Sequence, residues 1–134
     1  MLKALLLTRD QEVVRVVRGV LEAVTAELET ATCTSQGRQT ISQRKFDAIL
    51  VDVDDVQDGC RVIRELRAGN SNNKSIVFAI TNHITSVTDA FEIGANFVLQ
   101  KPVSPERAMR SLRAAHGLVS RDRRQRQMNA GLGR

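Results

Sequence analysis

The chain alternates between two kinds of segment, which differ in how their apolar residues are spaced. Five short runs, the second more polar than the others, are almost continuously apolar, at about residues 3–8, 28–33, 47–53, 75–81 and 96–100. This continuity is typical of buried parallel strands. Five intervening or following segments have the period of a helix, at about residues 10–26, 34–44, 59–68, 84–93 and from Pro105 onward. The pattern predicts an α/β protein, a doubly wound parallel sheet with helices on both faces.

Single residues at the segment ends support this prediction. Asp10 stands where the first helix needs an N-cap, because its carboxylate can accept from the free backbone N–H groups of the first turn. Gly94 follows the fourth helical segment and is expected to have a positive φ. Pro105 lies in the first turn of the last helix, where its missing N–H costs nothing.

The composition is that of one globular domain, with 134 residues, 42% apolar and 26% charged. No apolar run is long enough to span a bilayer, and the N-terminus lacks the pattern of a signal peptide. We therefore expect a cytoplasmic protein without membrane contact. Cys33 and Cys60 form no CxxC or His/Cys cluster, so we expect reduced, buried thiols and no metal site.

The net charge of +5 is unevenly distributed. Residues 121–134 hold five arginines and one aspartate, a net charge of +4, which leaves +1 for the rest. We therefore divide the chain into a domain at 1–120 and a basic C-terminal tail or truncated linker at 121–134. The tail is interpreted as a solvated helix end. A tail that binds nucleic-acid phosphates is an alternative that we do not favour, because no aromatic platform or recognition helix accompanies it.

Polar residues end three of the apolar runs. Asp52 ends the third, Thr81 the fourth, and Lys101, followed by Pro102, the fifth. In an open parallel sheet, ligands bind outside the carboxyl ends of the strands. A carboxylate, a hydroxyl and an ammonium group should therefore meet in one crevice, where the first run also ends, in Thr8-Arg9-Asp10.

This constellation resembles the response-regulator receiver domain of two-component signalling, over about residues 2–119. The resemblance implies that Asp52 is the phospho-acceptor position and that Thr81 and Lys101 contact the phosphoryl oxygens. It implies a flavodoxin-like sheet of five strands in the order 2-1-3-4-5. It also implies protein partners, a sensor kinase or an output domain that the sequence does not identify, and a signalling module that is not an enzyme.

The chain departs from the family where two adjacent acids normally hold a divalent metal. Those positions are Thr8 and Arg9, a weak neutral ligand and a permanent cation. A cation about 4 Å from a bound dication costs several kcal/mol. We therefore predict no cofactor and no Mg²⁺ binding. Two orientations of Arg9 are open, one paired with Asp52 and one extended toward solvent.

The remaining candidate groups have structural interpretations. We expect Asp10 to cap its helix, and Asp54 and Asp55 to be solvated loop charges, although a relocated metal site involving them is an alternative. His83 is expected at the surface, and His116 in a structural position on the apolar side of the last helix. No catalytic arrangement is visible, and Val98 stands where receivers often carry an aromatic switch residue.

Three functions are open. The leading one is a receiver-like module in a two-component system or phosphorelay that acts by protein–protein interaction, is metal-independent, and is poorly or not phosphorylated. The first alternative is an active receiver phosphorylated on Asp52, and the second is a nucleic-acid-binding regulator that uses the tail. The chain also resembles the receiver part of receiver–PilZ proteins, although its tail arginines lack the pair spaced four apart.

Charge on the last two helices predicts a weak homodimer. The fourth helix carries Asp89 and Glu92, and the fifth carries Arg107, Arg110 and Arg113. Opposite charges on neighbouring helices favour a two-fold pairing of helix four with the partner's helix five.

Overall fold

The computed structural model describes residues 2–24, 26–54, 58–69, 72–83 and 86–132. Strands and helices alternate as predicted, in the order β1 Leu2–Leu7, α1 Gln11–Ala23, β2 Ala26–Ala31, α2 Thr34–Gln43, β3 Ala48–Asp52, α3 Gly59–Arg67, β4 Ile76–Thr81, α4 Ser86–Glu92, β5 Phe97–Gln100 and α5 Pro105–Leu132. The strands form one parallel sheet in the order β2-β1-β3-β4-β5. The predicted fold class and strand order are confirmed. None of the described helices is long and apolar enough to cross a membrane.

The main error in the predicted boundaries is in β2, which lies two residues earlier than expected. Its register is determined by β1, because Leu2 pairs with Ala26 and Leu7 with Ala31. The strand is polar and half-exposed, at an edge of the sheet. Its own hydrophobic pattern therefore carried little information about where pairing begins.

The sheet is buried on both faces, which explains the continuous apolar runs. In β1, Ala4 and Leu6 pack toward α1 and α5, whereas Leu5 and Leu7 pack toward α2, α3 and α4. All four side chains are almost completely buried. Successive side chains of a strand point to opposite faces, so each strand contributes to both hydrophobic layers.

Both local end signals have the predicted structure. The Asp10 carboxylate accepts from Glu12 N and Val13 N, which satisfies two free donors at the start of α1. Gly94 has φ +119°, and a Cβ there would lie 2.6 Å from Arg67 Cγ. Arg67 is held in that place because its Nε donates to Gly94 O at 2.9 Å. Glycine is therefore required by both the backbone conformation and the packing.

Three residues are more exposed than predicted. Cys33 and Cys60 are free thiols as expected, but both are exposed and not buried. Cys33 immediately precedes α2, and Cys60 lies on the side of α3 that faces away from the core. His116 is also exposed, since Leu112 and Ala115 supply the buried side of α5.

Helix α5 continues through the basic segment to Leu132. At 1.5 Å per residue its 28 residues span about 42 Å. Residues 121–129 are exposed, as a solvated helix end would be. One of them is nevertheless attached to the domain, because Arg123 Nη2 donates to both carboxylate oxygens of Asp47, at 2.9 and 2.8 Å. The division of the chain at residue 120 stays a prediction.

Candidate receiver site

Asp52 lies at the centre of the carboxyl edge of the sheet. It is the last residue of β3, between β1 and β4, and its side chain is completely buried. Thr8 directly follows β1 and Thr81 ends β4, so a threonine stands on each side of it. Lys101 directly follows β5 and is 15% exposed. The fold therefore places all of these residues at one edge.

The Asp52 carboxylate is surrounded by donors from its own chain. Lys101 Nζ lies 2.7 Å from Asp52 Oδ2, and the Thr8 hydroxyl donates to the same oxygen at 2.7 Å. The backbone N–H of Asp54 donates to Asp52 Oδ1 at 3.3 Å. Hydrogen bonds to an ionised group are short and strong, and they satisfy a charge that burial would otherwise make costly.

The Thr8 hydroxyl has two partners, and the ionised Asp52 carboxylate can only accept from it. Asp10 N donates to Thr8 Oγ1 at 3.1 Å, so the hydroxyl oxygen is an acceptor there. Its own proton points to Asp52. Sequence reasoning treated Thr8 only as a weak ligand and missed this role, although a threonine two residues before a helix N-cap commonly accepts from the backbone in this way.

Thr81 makes the same pattern of contacts as Thr8, but with a different carboxylate. Its oxygen accepts from His83 N at 3.1 Å, and its hydroxyl donates to Asp54 Oδ1 at 2.8 Å. Asn82 N donates to Asp54 Oδ2. Two hydroxyls at equivalent strand ends therefore serve two carboxylates, Asp52 and Asp54.

Asp54 was expected to be a solvated loop charge; the residue is exposed, but its carboxylate accepts hydrogen bonds from the end of β4. Its side chain is 15% exposed, and the turn after β3 carries it to the end of β4, where the Thr81 hydroxyl and Asn82 N donate to it. His83 Nε2 lies farther away, 4.0 Å from Asp54 Oδ1, on a side chain that is 65% exposed as predicted. Asp54 follows the strand-ending Asp52 by two residues, and this spacing was the sequence signal that both carboxylates could lie at the same edge.

The other acids and Arg9 complete the surroundings. Arg9 is exposed, whereas the Asp52 carboxylate is not. Lys101 Nζ, which is bound to Asp52, also lies 3.9 Å from Asp10 Oδ2. Asp10 therefore both caps α1 and faces the crevice. Asp55 lies outside the described residues.

A groove between α4, β5 and α5 lies next to this edge. It has a volume of about 320 Å³, and Phe91, Val98, Arg107 and Arg110 contribute to its lining. Phe97 points to the other face of the sheet and stacks on Phe78 with ring centroids 4.8 Å apart. Phe91 is 49% exposed.

A doubly wound parallel sheet with a buried aspartate, a lysine and a threonine at its carboxyl edge defines a receiver-type signalling domain. The sequence model of the response regulator receiver domain matches residues 5–113. The chain belongs to this family, and it is therefore a receiver domain of two-component signalling. Receiver domains are signalling modules whose partners are proteins, kinases or output domains.

Solved structures show the same fold at low sequence identity. The chemotaxis response regulator CheY4 of Vibrio cholerae is 22% identical, with 86% of this chain and 98% of that chain covered and a TM-score of 0.77. A CheY-like receiver domain protein from Methanospirillum hungatei is 16% identical, with 91% and 98% covered and a TM-score of 0.79. NtrX from Brucella abortus, solved with ADP, is 18% identical, with 99% and 30% covered and a TM-score of 0.83. None of the curated proteins matches significantly.

Proposed function

We propose that this chain is an atypical receiver that is poorly phosphorylated or not phosphorylated at all and that signals through protein–protein contacts. The observation that carries the proposal is the state of Asp52. Its buried carboxylate is bound at 2.7 Å by both the Lys101 ammonium and the Thr8 hydroxyl. Lys101 neutralises the unmodified carboxylate and Thr8 donates a hydrogen bond to it, so phosphorylation of Asp52 would have to displace both contacts.

Among the residues that the structure describes, those around Asp52 do not fit a Mg²⁺ site. Mg²⁺ requires several oxygen ligands in near-octahedral geometry, usually carboxylates and waters. The Thr8 hydroxyl is committed to Asp10 N and Asp52, and Arg9 brings a positive charge. Asp54 is engaged by Thr81 and Asn82, and the Asp10 carboxylate by the first turn of α1. Metal-independence is therefore part of the proposal.

Phosphoryl transfer to Asp52 would lack two groups that usually support it, a bound metal and a free Thr81 hydroxyl. Charge on the transferring oxygens must be neutralised by a metal and by fixed donors, and this accounts for most of the catalysis. Lys101 is in place, which is the observation that favours the alternative of an active phospho-acceptor. The Thr81 hydroxyl, however, is bound to Asp54 and would have to leave it to reach a phosphoryl oxygen.

The test is incubation with phosphoramidate or acetyl phosphate in the presence of Mg²⁺, followed by intact-mass analysis. We expect no stable phosphate adduct under conditions that fully modify a receiver with the usual acid pair. Asp52→Asn is the matched control, because its carboxamide has nearly the same shape and cannot accept a phosphoryl group. An adduct in the parent chain that disappears in Asp52→Asn would establish the active alternative.

A weak, constitutive homodimer is the second part of the proposal. The α4–β5–α5 face combines half-exposed Phe91 with acidic Asp89 and Glu92 on α4 and basic Arg107 and Arg110 on α5, all of them exposed. A two-fold axis would place each acidic helix against the partner's basic one and would cover the Phe91 side chains of both copies. Such pairing would depend on concentration and not on phosphorylation.

Sedimentation velocity over a micromolar-to-millimolar range tests the dimer. Arg110→Glu should weaken it, and combining Arg110→Glu with Glu92→Arg should restore part of the association. Arg18→Glu on exposed α1 is the control for a change of net charge. A monomer at every concentration would remove this part of the proposal and leave the phosphorylation result unaffected.

Nucleic-acid binding by the tail is not favoured. Arg123 is bound to Asp47, and Arg126 Nη2 lies 3.0 Å from Asp122 Oδ2, so two of the tail arginines already have carboxylate partners. Ion pairs of this kind reduce the charge available to phosphates.

A further inference from the structure

A second cleft lies at the end of the sheet opposite to Asp52. It has a volume of about 490 Å³ and lies between α5 and the amino-terminal ends of β1, β3 and β4. We call it the basic cleft, because its lining includes five basic side chains: Lys3, Lys45, Lys74, Arg123 and Arg126. β3 separates it from the phospho-acceptor position by about 16 Å, so a ligand there would not touch Asp52.

The charge of the basic cleft is only partly neutralised within the chain. Two acids line it, and each is already bound to an arginine, Asp47 to Arg123 and Asp122 to Arg126. Five basic and two acidic side chains leave a net charge of +3. Within the part of the chain that the structure describes, none of the three lysine ammonium groups forms an ion pair. These lysines are exposed and available to an anionic partner.

The floor of the basic cleft is aliphatic. Leu118 is 46% exposed, and Ile76 and Val119 are half-buried beside it. The aromatic residue in the lining, Phe46, is only 6% exposed. Single-stranded nucleic acids gain much of their affinity by stacking bases on exposed aromatic rings, and this surface offers none. An aliphatic side chain flanked by carboxylates would instead match both the floor and the lysines.

We propose that the basic cleft is a docking site for an acidic segment of a partner protein, one that inserts an aliphatic side chain over Leu118 and places carboxylates against the lysines. The Arg123–Asp47 pair holds α5 against the domain and so forms the wall of the site. This surface is separate from the α4–β5–α5 face, and both can be occupied at once.

The proposal is tested with a fluorescein-labelled peptide in which glutamate and leucine alternate, and with an oligothymidylate of equal charge. Fluorescence anisotropy gives the affinities, and amide NMR shifts locate the site. We expect the peptide to bind more tightly than the oligonucleotide, with shifts around Lys45, Lys74 and Leu118. Lys45→Glu combined with Lys74→Glu should weaken peptide binding by about tenfold or more.

Two matched variants separate a built site from general attraction. Arg18→Glu combined with Arg61→Glu makes the same change in net charge at exposed positions outside the cleft, and should change the affinity by less than about twofold. Leu118→Ser should weaken peptide binding without changing the charge. Equal losses in both double variants, tighter binding of the oligonucleotide, or an unaffected Leu118→Ser variant would each overturn the proposal. Circular dichroism confirms that every variant is folded.

Discussion

The Thr81 hydroxyl donates to Asp54 Oδ1 at 2.8 Å, so the threonine that ends β4 is engaged by a carboxylate of its own chain. Thr81 is completely buried, whereas the Asp54 side chain is 15% exposed. The contact joins the end of β4 to the turn after β3. The Asp54 carboxylate is therefore the acceptor of the Thr81 hydroxyl in this structure.

Removing that acceptor should destabilise the protein. Asp54→Ala leaves a buried hydroxyl unpaired, which costs about 1–3 kcal/mol in the free energy of unfolding. Thr81→Val in the Asp54→Ala background removes the unpaired group and should recover part of the loss. Urea denaturation of the two single variants and the double variant measures the coupling, expected to be at least about 0.5 kcal/mol. Strictly additive losses would show that the contact contributes nothing.

Mg²⁺ binding should be absent in the parent chain and appear when the two acids are restored. We expect no heat of binding in calorimetric titration with millimolar Mg²⁺, because Thr8 and Arg9 offer no carboxylate. Thr8→Asp combined with Arg9→Asp should create a site, since Asp52 already lies between β1 and β4. Adding Asp52→Asn to this variant should reduce the new binding. A metal site in the unmodified chain would contradict the prediction.

Lys101 should be required for stability only while the Asp52 carboxylate is present. Lys101→Met leaves a completely buried carboxylate without its cation and should lower the free energy of unfolding by about 3–5 kcal/mol. Replacing both, as Asp52→Leu with Lys101→Met, should recover most of this loss, because apolar pairs often replace buried ion pairs without cost. Denaturation midpoints compare the variants. A double variant as unstable as Lys101→Met would indicate that the pair itself, and not the uncompensated charge, holds this edge together.

Cys33 should react as a thiolate at a lower pH than an ordinary cysteine. A hydrogen bond from the Ser35 side chain lowers the pKa of this exposed thiol below its usual value of 9.0, with smaller contributions from the backbone at Gln36 and Ser35. A lowered pKa means more thiolate at any pH below the usual midpoint, so alkylation should begin earlier as pH rises. Iodoacetamide labelling against pH, in a Cys60→Ser background, measures the midpoint. Ser35→Ala should move it upward, and an unchanged profile would exclude the serine as its cause.

The hydrophobic pattern was sufficient to predict the parallel sheet, its helices and most of their boundaries. It succeeded because strands buried on both faces must be apolar throughout, and because helix ends have local chemical requirements that Asp10 and Gly94 satisfy within a few residues of chain. It also predicted that the polar residues at the strand ends meet, because the carboxyl ends of parallel strands lie at the same edge of the sheet.

Partners of polar side chains depended on the tertiary structure. Whether Thr81 bonds Asp52 or Asp54 is decided by the path of the turn after β3, and the Arg123–Asp47 pair joins residues 76 positions apart. The register of β2 and the exposure of Cys33 and Cys60 likewise depend on which neighbour each segment meets. Local periodicity reports whether a residue faces a core, but a hydrogen bond needs two atoms within about 3 Å, and only the folded backbone brings distant parts of the chain that close.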